Sequence, residues 1–208
     1  MHRSIAPAAW LGQGVSRGDG NPVHLFDSPR IKLRLASALG KTYPLRMSLE
    51  SVRQFFSTHA PDVEVVVTAE SSATVPLAAV AHGVRPEQIA KTICVKAGEA
   101  VALVVMAGTA RLDNRKFRDR FGVKPRMLGG EDVLELTSHP VGGVCPFGLP
   151  SALAIYCDVS LREFPEVIPA AGASNAAVRI NPTRMSELTG AEWIDVCQFP
   201  NEGSIAAQ

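Results

Sequence analysis

A lysine shares the apolar side of a predicted strand. Residues 91–95, Lys-Thr-Ile-Cys-Val, are typical of a strand, and period-two alternation puts Lys91 on the same face as Ile93 and Val95. A buried ammonium without a partner is costly. Lys91 therefore either extends its amine into water from the end of the sheet or lines a polar pocket.

A loop rich in proline and glycine, residues 137–150, is the second segment that could do chemistry. Its turn-forming residues are Pro140, Gly142, Gly143, Pro146, Gly148 and Pro150. Proline fixes φ and glycine permits backbone shapes barred to other residues, so the loop should be rigid and sharply turned. The N–H groups of residues 142–145 can then point at one spot, as an oxyanion or a phosphate needs. An ordinary tight connection between a helix and a strand is the alternative.

Three titratable side chains in or near this loop have two interpretations each. Cys145 and His139 suggest a nucleophile with its base, because a thiolate beside an imidazole is a covalent catalyst. However, no third residue that would orient the imidazole is evident, so Cys145 can equally be a small loop side chain. Asp158 directly follows a predicted strand, where it either caps the next segment or faces a pocket.

Basic residues are concentrated between Arg111 and Arg126. This stretch holds seven basic and two acidic residues, a net charge of +5. Phe117 and Phe121 are the core anchors of the helix predicted there. The remaining charge either forms a solvated face or contacts the phosphates of a structured RNA.

Short alternating elements must position these residues. The pattern predicts a helix from Met47 with Ser48 as its cap, and an α-helix or helical turn in each of four later segments, residues 74–82, 86–90, 113–121 and 181–190. It also predicts strands over residues 63–68, 91–95, 100–105, 152–157, 176–180 and 193–197. Hairpins mixed with helices, without strict strand–helix alternation, indicate an α+β domain with a mixed sheet.

Composition bounds the class of protein. The 208 residues are 46% hydrophobic and carry a net charge of +1, so the chain can bury a core and has no global basic field. The longest apolar stretch, Ala100–Ala107, is too short for a membrane span. The four cysteines match neither zinc-ligand nor redox-pair spacing, which favours a reduced, cytoplasmic chain without a metal. Residues 1–46 are expected to be a poorly structured extension or a targeting segment, and residues 47–208 the domain.

An ordered set of motifs carries a resemblance to a known family. The set comprises Thr74-Val75, Ile89-Ala90-Lys91-Thr92, Gly108 with Arg111-Leu112-Asp113 and Lys116, Gly142-Gly143-Val144-Cys145-Pro146-Phe147-Gly148, Tyr156 with Asp158, and Ala170-Ala171-Gly172. Together they resemble the YbaK-type aminoacyl-tRNA deacylases, which are relatives of the editing domain in bacterial prolyl-tRNA synthetases. The resemblance covers residues 47–208. Ser138 departs from the glycine that relatives often have there.

The resemblance implies a fold and an activity. The fold would be a barrel-like, largely antiparallel mixed sheet flanked by helices. The activity would be hydrolysis, in trans, of the ester of a mischarged tRNA of the tRNA-Pro type. It would need no cofactor and would involve tRNA and an aminoacyl-tRNA synthetase as partners, but neither membrane nor DNA. A non-catalytic tRNA-binding or synthetase-associated module of the same fold is the alternative.

The resemblance also assigns residues. The catalytic set is Lys91 with the loop Gly142, Gly143, Val144, Cys145 and Pro146; the substrate-binding set is Thr74, Thr92, His139, Phe147, Asp158 and Gly172; the tRNA-phosphate set is Arg115, Lys116 and Arg118. The N–H groups of Gly143–Cys145 would hold the carbonyl oxygen as it becomes negative, and Lys91 would neutralise phosphate or ribose oxygens of the terminal adenosine.

Overall fold

The computed structural model describes residues 45–200 of the chain. Its α-helices are α1 (Leu45–His59), α2 (Val75–His82), α3 (Asn114–Phe121), α4 (Gly130–Thr137) and α5 (Pro182–Thr189). Its strands are β1 (Val65–Val67), β2 (Ile89–Ala97), β3 (Ala100–Ala107), β4 (Arg111–Leu112), β5 (Arg126–Met127), β6 (Ala154–Asp158), β7 (Ile168–Pro169), β8 (Ala176–Val178), β9 (Glu192–Ile194) and β10 (Cys197–Gln198). The predicted extension, residues 1–46, lies outside the described residues except for the start of α1.

A six-stranded mixed sheet organises the described residues. Strands follow the order β5-β2-β3-β6-β9, with β7 also beside β2. The β2–β3 hairpin and the β2–β5 pair are antiparallel, whereas β3–β6, β6–β9 and β2–β7 are parallel. Two smaller antiparallel pairs, β1–β8 and β4–β10, stand apart from it.

The α+β prediction is confirmed, but two of its details are wrong. The strands described here do not close into a barrel. The main sheet is also not largely antiparallel, because long crossovers lead into β6 and into β9 and bring each beside its neighbour in parallel.

Side-chain caps and glycines set the ends of three helices where the sequence predicts them. The side chains of Thr74, Asp113 and Asn181 accept hydrogen bonds from the first turns of α2, α3 and α5. Gly83, Gly122 and Gly190 end the same helices in the left-handed conformation. In contrast, α1 begins at Leu45, so Ser48 lies inside its first turn rather than at the predicted cap.

Two predicted elements are shorter or divided in the structure. Residues 86–90 form only a 3-10 turn at Pro86–Gln88, and the chain then enters β2. The strand predicted over residues 193–197 is divided into β9 and β10. The carboxylate of Asp158 accepts the N–H groups of Val196 and Cys197, at 2.9 and 3.1 Å, and so draws the chain away from β6 toward β4.

An aromatic group anchors the glycine–proline loop in the core. The ring of Phe147 is fully buried and packs on Phe56 of α1, with the ring centroids 4.7 Å apart. Phe117 and Phe121 of α3 pack together, and Phe121 contacts Tyr156 of β6. Burying one aromatic ring contributes about 1.5–3 kcal/mol, so Phe147 alone strongly favours the observed position of the loop.

Across residues 45–200, every helix is too short or too polar to cross a bilayer.

Candidate functional site

A small cavity of about 220 Å³ lies at the start of β2. It is lined by Ser72, Ala73, Thr74, Val75, Ala78, Ile89, Ala90, Lys91, Thr92, Gly142, Val144, Ile168, Ala170, Ala176 and Ala177. Residues from α2, β2, β7, β8 and the glycine–proline loop therefore meet at one place. Among these lining residues only Lys91 carries a charge.

Lys91 lines the cavity while its amine is bound to main-chain oxygens. Its Nζ donates to the carbonyl oxygens of Gly108, at 2.8 Å, and Ala110, at 2.5 Å. Partial burial lowers the pKa of Lys91. These carbonyls provide the partners that a half-buried ammonium requires, and two of its three N–H groups are thereby used. The sequence alternatives of water exposure and a polar pocket are resolved in favour of the pocket.

Thr92 places a hydroxyl without a partner beside the cavity. Its Oγ1 is buried and has no hydrogen-bond partner among residues 45–200. A buried hydroxyl left unpaired costs about 1–3 kcal/mol, and a ligand that hydrogen-bonds it would recover that cost. Thr74, which also lines the cavity, accepts the N–H of Leu77 at 3.5 Å as the cap of α2.

The glycine–proline loop comes close to two neighbouring segments. Gly142 has φ +87°, and a Cβ there would lie 2.7 Å from that of Ala73. At Gly143 a Cβ would lie 2.8 Å from the backbone of Ala173. Atoms at such separations overlap, so only glycine permits these approaches. The pair therefore sets the shape of one wall of the cavity.

The N–H groups of the loop are not all free. Gly143 donates its N–H to the carbonyl of Pro140 at 2.8 Å, which closes a turn. Within residues 45–200, no acceptor takes the N–H of Gly142, Val144 or Cys145. The predicted group of donors at Gly143–Cys145 is therefore reduced to Val144 and Cys145.

His139 is part of the loop's internal support and does not line the cavity. The ring is fully buried; its Nε2 lies 2.9 Å from the carbonyl oxygen of Phe147 and its Nδ1 2.6 Å from Oγ of Ser48. Burial lowers the pKa of His139. A neutral ring donates from Nε2 to Phe147, and the hydroxyl proton of Ser48 is then shared between Nδ1 and the Gly172 carbonyl, 2.5 Å away.

The thiol of Cys145 is unsuited to nucleophilic attack. It is fully buried, it does not line the cavity, and burial raises its pKa to about 12. Its sulfur lies 3.6 Å from Nε2 of His139, but that nitrogen is already paired with the Phe147 carbonyl. Since the thiolate is the reactive form, Cys145 contributes packing rather than a nucleophile.

Three other residues predicted to bind substrate lie outside the cavity lining. Asp158 is buried and acts as a cap, the first of the two alternatives for it: it accepts the N–H of Ser160 as well as the two donors near β10. Phe147 belongs to the core. Gly172 supports the site instead, because its N–H donates to the carbonyl of Gly143 at 3.1 Å. Pro146 also lies outside the lining.

The predicted phosphate-binding residues of α3 differ in their availability. Lys116 bonds Asp195 at 2.7 Å and the Cys197 carbonyl at 2.9 Å, and so holds β10 in place. Arg115 is 85% exposed and only loosely paired with Asp119, at 3.9 Å. Arg118 is exposed and forms no ion pair with the described residues. Arg115 and Arg118 therefore remain free to meet phosphates, and Lys116 does not.

Most of the apolar lining was missed from the sequence. Ala78, Ile168 and Ala177 come from α2, β7 and β8, which are distant in the sequence and meet in one small core cluster. The one sequence signal for them is the run of small residues around α2, where larger side chains would fill the cavity.

Solved structures share this fold. A crystal structure of a protein described as a candidate trans-editing enzyme for prolyl-tRNA synthetase is 31% identical, with a TM-score of 0.68 over 77% of this chain and 99% of that one. A crystal structure of a hypothetical protein is 30% identical, with a TM-score of 0.66 over 71% of this chain and 99% of that one.

Sequence comparison defines the family. The model of the aminoacyl-tRNA editing domain matches residues 69–188, which include every cavity-lining residue. The uncharacterized protein YwhH of Bacillus subtilis (strain 168) is 46% identical over 154 residues, 73% of this chain and 98% of that protein. The chain belongs to the aminoacyl-tRNA editing domain family.

Proposed function

We propose that the protein is a trans-acting aminoacyl-tRNA deacylase that hydrolyses the ester of a mischarged tRNA. The observation that carries the proposal is the convergence of Lys91 and the Gly142–Pro146 loop on one cavity, to which Gly142 and Val144 contribute directly. A volume of about 220 Å³ is below the roughly 300–1,000 Å³ of sites for drug-sized ligands. It suits a small aminoacyl group, with the adenosine outside.

The hydrolysis needs no protein nucleophile. Water adds to the carbonyl carbon of the ester, the carbon–oxygen bond to the ribose breaks, and the ribose oxygen leaves with a proton. The free N–H of Val144, which lines the cavity, would stabilise the carbonyl oxygen as it becomes negative. An aminoacyl ester is already activated, so correct placement against this donor supplies much of the rate.

Lys91 would act from the β2 part of the cavity lining. Two carbonyl oxygens fix its ammonium, and the third N–H is left for a ribose or phosphate oxygen of the terminal adenosine. Thr92 lines the same cavity and would contact the aminoacyl group. We further propose tRNA of the tRNA-Pro type as the substrate and an aminoacyl-tRNA synthetase as a partner, which the trans-editing structural relative supports. We also propose the cytoplasm as the location.

A deacylation panel tests the proposal. The full-length protein is incubated with tRNA-Pro carrying cysteine, alanine, serine or threonine, and ester loss is compared with the spontaneous rate. We expect rapid hydrolysis of at least one ester. An ester that becomes more long-lived in the presence of protein would instead support the non-catalytic tRNA-binding module. Spontaneous rates throughout, without binding, would overturn both proposals.

A further inference from the structure

Three segments on one side of the cavity are held together through Ser48. Its hydroxyl oxygen lies 2.6 Å from Nδ1 of His139, near the start of the glycine–proline loop, and 2.5 Å from the carbonyl oxygen of Gly172. His139 is in turn bonded through Nε2 to the carbonyl oxygen of Phe147, at 2.9 Å. Gly172 donates its N–H to the carbonyl oxygen of Gly143, at 3.1 Å. The hydroxyl is only 2% exposed, and none of these partners is close to it in sequence.

Steric contacts at glycines reinforce the same arrangement. A Cβ at Gly172 would lie 2.6 Å from the carbonyl oxygen of Ser48, and a Cβ at Gly148 would lie 2.7 Å from the backbone of Ser51. Both glycines have positive φ. The first turn of α1 therefore touches the loop and the Gly172 turn through main-chain contacts, and Ser48 supplies the directional bonds between them.

We infer that Ser48, acting through His139, is a positioning residue for the N–H donors of the loop. The free N–H of Val144 lies between the two points at which the network binds the main chain, Gly143 and Phe147. Removing the hydroxyl leaves Nδ1 and the Gly172 carbonyl without a buried partner and frees both points to shift. A misplacement of about 1 Å in such a site costs on the order of 100-fold in rate.

Amide hydrogen exchange of the loop tests the inference independently of activity. In Ser48→Ala we expect exchange in residues 139–148 and 172–176 to rise by about tenfold or more, with the β2–β3 hairpin unchanged. Ser51→Ala is the matched control, because Ser51 sits on the same helix and bonds only the Ser48 carbonyl, at 2.8 Å. Unchanged loop exchange in Ser48→Ala, or equal loosening of the hairpin, would overturn the inference.

A kinetic experiment also tests the role of Ser48, and it rests on the proposed deacylase function. Ser48→Ala should lower kcat by roughly 10- to 100-fold with KM within about threefold, since the affected contacts act on the transition state. Ser51→Ala should keep both constants. A wild-type protein without hydrolytic activity would defeat the proposed function alone, because the exchange experiment would still decide the role of Ser48.

If Ser48→Ala fails to fold, His139→Gln provides the second variant. Its amide can still donate to the Phe147 carbonyl but no longer reaches Ser48, so the loop keeps one anchor. We expect intermediate exchange, faster than in the wild type. Wild-type exchange in His139→Gln would show that the link to Ser48 does not hold the loop.

Discussion

Lys91 has a structural role in addition to the chemical role that we propose for it. Its ammonium satisfies two carbonyl oxygens after β3, and it is the charged group among the residues that line the cavity. The hydrogen bonds to these carbonyls offset part of the free-energy cost of burying the charge. They also fix the position of the amine before any ligand binds.

Lys91→Ala should therefore abolish most deacylation. We expect kcat/KM to fall by at least about 100-fold, the usual loss when one fixed electrostatic contact is removed from an active site. Lys96→Ala is the matched control, because Lys96 lies on the same strand, is outside the cavity lining and pairs loosely with Glu99, at 3.8 Å. Steady-state deacylation with both variants checks the prediction. Equal activity in the two variants would contradict it.

Cys145→Ser should retain activity. The thiol is buried with a pKa raised to about 12, so its replacement removes no nucleophile. We expect kcat within about threefold of the wild type and a loss of roughly 1 kcal/mol in the free energy of unfolding, because a hydroxyl replaces an apolar thiol. An inactive Cys145→Ser, together with inactivation of the wild type by a thiol-alkylating reagent, would favour a thiol mechanism.

His139 should make the protein less stable in acid. Burial holds its pKa in the folded state below the ordinary 6.5, so the unfolded chain takes up a proton first as the pH falls. Stability is then complete above about pH 6.5 and declines below it, by at most about 1.4 kcal/mol per pH unit.

Urea denaturation from pH 8 to pH 5 checks this pH dependence. His139→Gln should be less stable at pH 8 and should lose less stability on acidification than the wild type. The buried ring of His82 also has a lowered pKa and contributes equally to both proteins, so the difference between them isolates His139. Parallel curves for the two proteins would contradict the prediction.

Helix α4 ends at a residue that is strained. Ser138 has φ +59° and is the one non-glycine residue with positive φ within residues 45–200. A side chain in the left-handed region costs about 1–2 kcal/mol, which glycine avoids.

Ser138→Gly should accordingly stabilise the protein. Glycine relieves the strain energy of the folded state, and it costs free energy because it makes the unfolded chain more flexible. The first effect is the larger, so we expect a gain of about 0.5–1 kcal/mol in the free energy of unfolding. Glu135→Gly, at an exposed position in the same helix, is the control and should cost about 1 kcal/mol. Thermal or urea unfolding measures both. A destabilised Ser138→Gly would mean that the serine hydroxyl outweighs the strain.

On the scale of the whole molecule, the distribution of charge says more about possible tRNA contacts than the net charge of +1 does. Part of the excess positive charge of residues 111–126 is taken up by ion pairs with the C-terminal strands, notably Lys116 with Asp195 and Arg120 with Glu192. Arg115 and Arg118 are left exposed on α3, and we propose them as a surface that contacts tRNA phosphates.

Replacing Arg115 and Arg118 together by alanine should weaken tRNA binding and its salt dependence. The affinity falls as the salt concentration rises, and each lost phosphate contact should make the slope of log affinity against log salt concentration less steep by about 0.7–0.9. Arg53→Ala, which removes an exposed charge from α1, should leave the slope unchanged. Filter-binding titrations at several salt concentrations measure the slopes. Equal slopes for wild type and double variant would identify a solvated face.

Signals between neighbouring residues were sufficient to predict the helices and the hairpin whose ends they set. Caps and left-handed glycines bounded α2, α3 and α5, and the turn at Gly98 marked the β2–β3 hairpin, because these signals act within a few residues of the chain. Helix α4 was missed because it begins at Gly129-Gly130 without a side-chain cap. The parallel pairings were missed because they join strands distant in the sequence.

The sequence by itself determined the family resemblance, the α+β class, Lys91 and the glycine–proline loop, since those depend on residue type and order. Only the tertiary structure decided what each residue touches. It placed His139, Phe147 and Asp158 in supporting contacts, closed the N–H of Gly143 in a turn, and connected Ser48 to a loop about 90 residues away. Burial and hydrogen-bond partners arise from long-range packing, which no spacing along one segment records.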